Sequence, residues 1–166
     1  GDGTVNLVSR IIAGNDIRLG IIPLGSSNGM AYQLNIPDRI EDAIEIIAGG
    51  KSKKIDMMTI NKSHLCLHMG DLGMNARIIK RREKEDMKGF PGYARQYFKE
   101  MRRRKKFSCS IVTDGKNITA KTVMVVIANG SHYGTGAVIN PDGRLDDDTF
   151  EIILIKAYTF RFLLHM

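Results

Sequence analysis

Two glycine-rich segments lie close together near the start of this sequence, and they limit how the chain can fold. The first runs from Gly1 to Asn6 in the order Gly-Asp-Gly-Thr-Val-Asn, and the second occupies residues 25–29 in the order Gly-Ser-Ser-Asn-Gly. Glycine lets backbone N–H groups approach an anion closely, and the intervening Asp2 can hold a metal ion or its waters. Because Asp and Gly are ordinary turn residues, the first segment alone also fits a hairpin corner.

The surroundings of the second segment make it more informative. The apolar residues 21–24 predict a buried strand, residues 25–29 a turn, and residues 30–34 the start of a helix. A strand that leads through a loop into a helix N-terminus is a natural binding site for an anion. The two segments together therefore predict nucleotide chemistry.

At these segments the chain resembles the diacylglycerol kinase catalytic-domain family, which includes bacterial lipid kinases and is related to sphingosine kinases and, more distantly, to NAD kinases. The family pattern is a Gly-Gly-Asp-Gly-Thr loop followed by a Pro-x-Gly-Thr-x-Asn-Asp loop. Further matching segments follow in the family's order at residues 54–56, 70–76, 128–136 and 141–151. The resemblance therefore covers nearly the whole chain.

The fold class that follows is α+β, a mixed α/β arrangement like that of NAD kinase and diacylglycerol kinase. Residues 1–50 are expected to be the C-terminal part of a nucleotide-binding α/β domain, ending in an amphipathic helix over residues 40–48. Residues 51–166 are expected to be an antiparallel β-sandwich for the lipid substrate, incomplete at its C-terminus. The resemblance also implies that strands before the first loop, and a later segment bearing the catalytic base, lie outside this sequence.

The hydrophobic pattern changes to that of strands after residue 53. A hairpin is predicted from residues 55–60 and 65–69, and a second one turns at Asp114-Gly115, the strongest short hairpin signal in the chain. The remaining predicted strands cover residues 107–113, 118–128, 137–139 and 150–155. The second part of the chain therefore reads as antiparallel β structure.

A basic segment interrupts these strands at residues 77–106. It holds thirteen Lys or Arg against four acids, a net charge of +9, whereas the whole chain carries +7, so the remaining residues sum to −2. Tyr93, Tyr97, Phe98 and Met101 recur at helical spacing and predict an amphipathic helix over residues 91–105. Its basic face is either a solvated surface or a surface for anionic lipid headgroups. No nucleic-acid-reading motif accompanies it, so no nucleic-acid partner is expected.

The resemblance implies which residues bind the cofactors ATP and Mg²⁺. Residues of the first loop would cradle the phosphates, Asp2 would order magnesium and its waters, and Ser26 stands where the family usually has a phosphate-contacting Thr. The implied cofactor-binding residues are Gly1, Asp2, Gly3, Thr4, Asn6, Gly25, Ser26, Asn28 and Asp56. Gly29 replaces one acid of the family's magnesium network.

The acidic triplet at residues 146–148 fits either a solvated turn or a structural magnesium site. In the bacterial lipid kinases that the chain resembles, the equivalent loop binds Mg²⁺ through one Asp side chain and two backbone carbonyls. These ligands correspond here to Asp147, Arg144 and Thr149, all of them hard oxygen donors. Asp148 stands where the family usually has Gly, which would strain the loop if that residue has positive φ.

The expected function is ATP-dependent phosphorylation of a lipid hydroxyl such as that of diacylglycerol, with this part of the protein inactive alone. Arg77 lies where sphingosine-type enzymes place an acid, which favours a neutral glycerolipid over an amine. Two alternatives remain: a non-catalytic module that binds nucleotide or lipid, and a serine hydrolase. The hydrolase would use Ser27 in Gly-x-Ser-x-Gly, with His132 and either Asp56 or Asp71.

Composition adds two limits. No apolar run reaches the about 18 residues needed to span a bilayer, so a cytoplasmic protein, peripheral at the membrane, is expected. Cys66 and Cys109 lie apart without metal-ligand spacing and are read as free thiols, and His64 and His68 lack a third ligand that would suggest zinc.

Overall fold

The computed structural model describes residues 1–85, 89–113, 115–133 and 137–157. The helices within these residues are α1 Asp2–Ile12, α2 Gly29–Gln33, α3 Ile40–Ala48, α4 Met74–Lys84 and α5 Gly89–Arg103. The strands are β1 Met58–Ile60, β2 His64–Cys66, β3 Met69–Gly73, β4 Phe107–Thr113, β5 Lys116–Thr122, β6 Met124–Ala128, β7 His132–Tyr133, β8 Ala137–Val138 and β9 Glu151–Ile155.

The first compact unit combines Gly1–Met69 with Ala128–Glu151. It contains α1 to α3 and two short antiparallel pairs, β1 with β2 and β7 with β8. Its core consists of three buried side chains from distant parts of the sequence and several half-buried apolar residues around them. The core residues are Met30, Leu67 and Leu145, surrounded by Val5, Ile21, Leu34, Ile55 and Met57.

The second unit comprises Gly70–Ile127 and, of the later described residues, Ile152 to Ala157. It holds a three-stranded sheet in the order β3-β6-β9 and the antiparallel hairpin of β4 and β5. Helices α4 and α5 pack against each other in this unit. Its largest buried apolar side chains are Met74, Ile78, Tyr97, Val123, Met124 and Val126.

Much of the predicted architecture is confirmed. The chain has a mixed α/β fold with antiparallel pairs, and the hairpin predicted within residues 55–69 forms with Met58 opposite Cys66. The pairing of Thr113 with Lys116 shows the short connection expected at Asp114-Gly115. Gly115 has φ of +73°, as such a turn requires, while Asp114 lies outside the described residues.

The predicted strand at residues 21–24 is wrong. These residues form no strand, and no strand of the described chain pairs with them. The N–H of Leu24 instead donates to the carbonyl of Ile22 at 3.0 Å, and the Leu24 side chain is 71% exposed. A strand requires a hydrogen-bonded neighbour, which an apolar run alone does not supply.

The single strand predicted over residues 118–128 is also wrong, because Val123 interrupts it. The Val123 N–H donates to Ile155 O at 2.8 Å, and its carbonyl accepts the N–H of Met74 at 2.9 Å. The hydroxyl of Thr122 bonds the carbonyls of Met124 and Ile155 and so stabilises the bend. Strand β5 therefore belongs to the hairpin and β6 to the three-stranded sheet.

Two helices were not predicted. Residues 2–6, expected to form a phosphate loop, are the first turns of α1, and α4 begins at Met74, in the family-matching segment 70–76, and continues into the basic segment. The predicted helix at residues 40–48 is confirmed, although its apolar stripe is mostly half-exposed and only Ala43 is buried.

Candidate functional site

The two glycine-rich segments meet in the first unit through their backbones. A Cβ added to Gly25 would lie 2.5 Å from the Cα of Gly1 and 2.7 Å from Oδ1 of Asn28. Contacts this short are impossible for a side-chain carbon, so the approach depends on glycine at residue 25. The sequence prediction that both segments contribute to one site is therefore consistent with their packing.

Asp2 links the first segment to the second. Its Oδ2 accepts a hydrogen bond from the N–H of Gly29 at 2.9 Å, and its Oδ1 accepts one from the N–H of Met30 at 2.8 Å. These amides belong to the first turn of α2 and have no partner within that helix. The carboxylate is thus oriented by two backbone donors, a precise placement for a group expected to order magnesium.

Asn28 closes the second segment. Its Oδ1 accepts the N–H of Gly25 at 2.8 Å, and its Nδ2 donates to the carbonyl of the same residue at 2.7 Å. Asn28 has φ of +50°, a left-handed conformation that Asn tolerates better than most residues. The loop therefore leaves Ser26 and Ser27 exposed, with Ser26 available to a phosphate oxygen.

The predicted phosphate loop is replaced by a helix N-terminus. The N–H of Val5 donates to the carbonyl of Gly1 at 3.1 Å and closes the first turn of α1, while Gly3 and Thr4 are exposed. The first N–H groups of a helix have no intrahelical partner, and the helix dipole favours an anion near them. Residues 2–6 are therefore helical where a loop was predicted, but their N-terminal backbone N–H groups can still donate hydrogen bonds to an anion.

Asn6 has a different local role. Its Oδ1 accepts the N–H of Leu67 at 3.1 Å, which joins α1 to the chain beyond β2. A pocket of about 300 Å³ lies between these elements. Its lining residues are Asp2, Val5, Asn6, Met30, Cys66, Leu67, His68 and Met69.

Asp56 is held to the acidic loop. Its N–H donates to the carbonyl of Leu145 at 2.7 Å, and its Oδ2 accepts the N–H of Asp148 at 2.8 Å. The Asp56 carbonyl also accepts a bond from Asn129 Nδ2 at 2.9 Å. The structure therefore joins two sequence-predicted segments that lie about ninety residues apart.

The acidic loop itself is partly ordered by its own side chains. Oδ1 of Asp147 accepts the N–H of Thr149 at 3.2 Å and its hydroxyl at 2.8 Å. Lys53 Nζ lies 3.1 Å from Asp146 Oδ2 and holds the pKa of that carboxyl below its usual value. Asp148 has φ of +58°, so the family's glycine position is left-handed here.

The oxygen atoms that this loop offers are of the type that magnesium binds. Asp147 supplies a carboxylate, and Arg144 and Thr149 supply carbonyls, which are the hard oxygen ligands that Mg²⁺ prefers. Across the described chain no three His, Cys, Asp or Glu side chains form a metal-binding group. The predicted set contains only one such side chain, so the magnesium site stays a prediction.

In the second unit, Glu100 neutralises part of the basic segment. Its side chain is fully buried, and its Oε2 lies 2.8 Å from Nε of Arg77, while its Oε1 contacts Arg81. Burial alone would raise the pKa of Glu100, but hydrogen bonds and charge from Arg77 and Arg81 hold the pKa below its usual value. The Arg77 charge, expected to discriminate against amine substrates, is therefore balanced by a carboxylate.

A polar cluster in the first unit was not predicted as a whole. Oε1 of Gln33 accepts the Ser131 N–H at 3.1 Å and hydroxyl at 3.0 Å, and also the His132 N–H at 3.1 Å. The Ser131 hydroxyl lies 2.7 Å from Nδ1 of His132, whose ring meets Tyr32 edge-on at 5.0 Å. These residues are distant in sequence and show no shared pattern, so only the fold brings them together.

The hydrolase hypothesis loses its structural basis. A nucleophile elbow lies between a strand and a helix, yet residues 21–24 form no strand. His132, the proposed base, is bonded to Ser131 and Gln33, and Ser27 makes no hydrogen bond to a histidine within the described ranges.

Two models of known protein families match this chain. The sequence model of the diacylglycerol kinase catalytic domain matches residues 1–60, and that of the YegS C-terminal NAD kinase beta sandwich-like domain matches residues 71–166. The chain belongs to the family of the YegS C-terminal NAD kinase beta sandwich-like domain. The second match alone covers more than half of the sequence.

Individual relatives agree with this assignment. A probable lipid kinase YegS-like from Yersinia enterocolitica is 31% identical over 164 residues, which cover 95% of this chain and 55% of the relative. The protein of the same name from Yersinia pestis strain Pestoides F is 29% identical over the same length. This chain therefore spans about half the length of the curated relatives that it matches.

Solved structures show the same fold. The crystal structure of a diacylglycerol kinase from Bacillus anthracis strain Sterne superimposes with a TM-score of 0.69 at 26% identity. The match covers 95% of this chain and 52% of the other. The α+β fold class predicted for this YegS-like chain is thus confirmed.

Proposed function

We propose that this chain forms the phosphate-handling part of a kinase that transfers the γ-phosphate of Mg-ATP to a lipid hydroxyl such as that of diacylglycerol. The observation that carries the proposal is the double hydrogen bond from Gly29 and Met30 to the Asp2 carboxylate, because it unites the two glycine-rich segments. The kinase names of the relatives support the same reaction.

The residues present fit a nucleotide phosphate. The N-terminus of α1 offers backbone donors at Gly3 and Thr4, Ser26 offers an exposed hydroxyl, and Gly25 lets the two segments approach closely. Magnesium, when bound, would neutralise charge on the transferring phosphoryl group. Asp2 is fixed by its two amide bonds and would orient that ion or its waters, while Asp56 would contribute through the acidic loop.

The lipid substrate implies work at a membrane surface. Within the described residues no helix is long and apolar enough to cross a bilayer. Residues 102–106 are five consecutive exposed Arg or Lys at the end of α5, and they would attract anionic headgroups. The proposed location is therefore cytoplasmic, with peripheral binding to an anionic membrane.

The test is phosphate transfer from labelled ATP to lipid extracted into organic solvent. The 166-residue chain and a form extended by flanking sequence are compared, because this chain spans about half the length of its relatives. We expect labelled lipid only from the extended form and more than a hundredfold loss on Asp2→Ala. No labelled lipid from any form, with nucleotide binding intact, would favour the non-catalytic module instead.

A further inference from the structure

His68 occupies a backbone position fixed by neighbouring segments of the first unit. The carbonyl of His68 accepts the N–H of Asn129 at 2.8 Å. The preceding residue, Leu67, is held by Asn6 through its N–H and by Asn129 Nδ2 through its carbonyl at 3.0 Å. The backbone that carries the His68 ring is therefore held by several separate hydrogen bonds.

The ring itself is closely packed, and one of its two nitrogens lacks a polar partner among the described residues. A Cβ on Gly130 would lie 3.1 Å from Cδ2 of His68, so glycine at this position makes room for the imidazole. Nε2 of His68 is buried and has no hydrogen-bond partner among residues 1–85, 89–113, 115–133 and 137–157. Buried polar atoms in proteins are almost always paired, so the missing partner of this nitrogen calls for an explanation.

The pocket beside His68 has a distinct chemical character. Its polar side chains are the carboxylate of Asp2, the amide of Asn6 and the imidazole of His68, and the rest of its described lining is Val, Met, Leu and Cys without Lys or Arg. A phosphate would face a carboxylate and no cation there. A neutral, partly apolar molecule with a hydroxyl group fits this lining better.

We propose that this pocket receives the hydroxyl-bearing end of the acceptor alcohol and that Nε2 of His68 hydrogen-bonds to its hydroxyl oxygen. The inference rests on the proposed lipid kinase function and names where its neutral substrate binds. A volume of about 300 Å³ suits a glycerol moiety with the start of its ester chains rather than a whole lipid. Asp2 lines the same pocket, so the hydroxyl would lie beside the group expected to order magnesium.

Binding of a water-soluble short-chain lipid tests this role directly. Dihexanoylglycerol carries the free hydroxyl, and the dihexanoyl ester of propanediol lacks it, so their Kd values from calorimetry isolate the hydroxyl contribution. We expect the chain to bind the alcohol about tenfold more tightly, which corresponds to about 1.4 kcal/mol. His68→Phe keeps a ring of similar shape without the nitrogen and should remove this preference.

Two further variants separate binding from structure. His68→Gln places an amide nitrogen near the position of Nε2 and should restore most of the preference. His64→Phe changes an exposed histidine on β2 and should leave both Kd values unchanged. If His68→Phe does not fold, the imidazole NMR signals of His68 in the native chain should shift with the alcohol and not with the propanediol ester.

Equal affinity of the native chain for both esters, or a preference retained by folded His68→Phe, would overturn the inference. Neither result bears on phosphate transfer, which is measured separately with labelled ATP. Conversely, hydroxyl-dependent binding without any phosphorylated lipid from the extended form would contradict the kinase proposal and leave the alcohol site in place.

Discussion

The backbone N–H of Asp148 donates a hydrogen bond to Oδ2 of Asp56 at 2.8 Å. The bond joins a residue expected in the magnesium network to the acidic loop near the end of the described chain. Asp148 adopts a left-handed conformation to make it, with φ of +58°. The loop geometry therefore depends on a backbone conformation that Gly and Asp accept more readily than other residues.

Substitutions at residue 148 should reveal this conformation. Asp148→Ala is expected to lower the free energy of unfolding by about 1 kcal/mol, because a Cβ without a polar group disfavours positive φ. Asp148→Gly should change it by less than about 0.5 kcal/mol, since relief of strain offsets the greater freedom of the unfolded chain. Urea denaturation measures both, and equal stability of the two variants would contradict the left-handed geometry.

The contact between the glycine-rich segments predicts that alanine at residue 25 and alanine at residue 3 affect stability differently. Gly25→Ala should destabilise the chain by about 1–3 kcal/mol, because its Cβ would overlap the backbone of Gly1. Gly3→Ala is a matched control, since no atom lies within 4 Å of the added carbon. That variant should be as stable as the native chain or slightly more so, given the helix propensity of Ala. Thermal unfolding followed by circular dichroism distinguishes the two variants.

The two glycine-rich segments were predicted only in part from the sequence. It predicted that the segments around Gly1 and Gly25 act together, because glycine, acid and hydroxyl residues in that order have a direct chemical meaning. The helix α1 was missed, because its Thr, Val, Asn and Ser residues are weak helix formers. The half-buried face at Val5, Val8 and Ile12 recurs at helical spacing and would have indicated it.

Other features depend on contacts that no local pattern encodes. Residues 21–24 have the composition of a buried strand, but strand formation depends on a neighbour elsewhere in the chain. The bonds from Asn129 to Asp56 and Leu67 span more than sixty residues and determine where His68 lies. For α4, the pair Met74 and Ile78 at i, i+4 was the available signal, masked by the surrounding charges.

The buried ion pairs of Glu100 predict a pH-dependent stability. Glu100→Gln should lower the free energy of unfolding at pH 7 by about 2 kcal/mol, because Arg77 and Arg81 would lose their shared carboxylate. The folded-state pKa of Glu100 is depressed, so its contribution is complete above the unfolded pKa of about 4.3 and is lost as pH falls through the folded value. The difference between native chain and variant should therefore shrink in acid.

An exposed pair provides the control for that experiment. Glu41 lies 3.7 Å from Arg39 with both side chains about 70% exposed. Glu41→Gln should change stability by less than about 0.5 kcal/mol at every pH, as surface pairs contribute little. A stability gap for Glu100→Gln that is unchanged from pH 7 to pH 3 would refute the role of its charge.

The proposed magnesium site predicts a ligand-dependent stability. Saturating Mg²⁺ at about a hundred times its Kd should stabilise the chain by about 2.7 kcal/mol, which raises Tm by roughly 5 °C or more at this size. Asp147→Asn should remove most of that shift, whereas Asp142→Asn, an exposed acid in the same loop, should retain it. If Mg²⁺ raised the Tm of both variants equally, residues 146–148 would be a solvated turn and not a magnesium site.

The basic residues 102–106, which begin in the last turn of α5, predict salt-sensitive membrane binding. Arg103 lies 3.8 Å from the buried Glu100, so reversing its charge would also disturb the core of the second unit. Arg102, Arg104 and Lys106 are exposed, and reversing these three to Glu tests the surface charge with less disturbance. Co-sedimentation with anionic phosphatidylserine vesicles should fall at least tenfold in this variant, because each basic residue contributes about 1 kcal/mol near such a surface.

A second triple reversal controls for net charge in that membrane experiment. Arg10, Lys51 and Lys54 are exposed in the first unit, and changing them to Glu alters the total charge by the same amount. If attraction is local to residues 102–106, this control should bind vesicles more tightly than the first variant at low ionic strength. The difference should narrow as salt shortens the Debye length to about 8 Å. Equal binding by the two variants would mean that only overall charge matters and that this basic run is a solvated face.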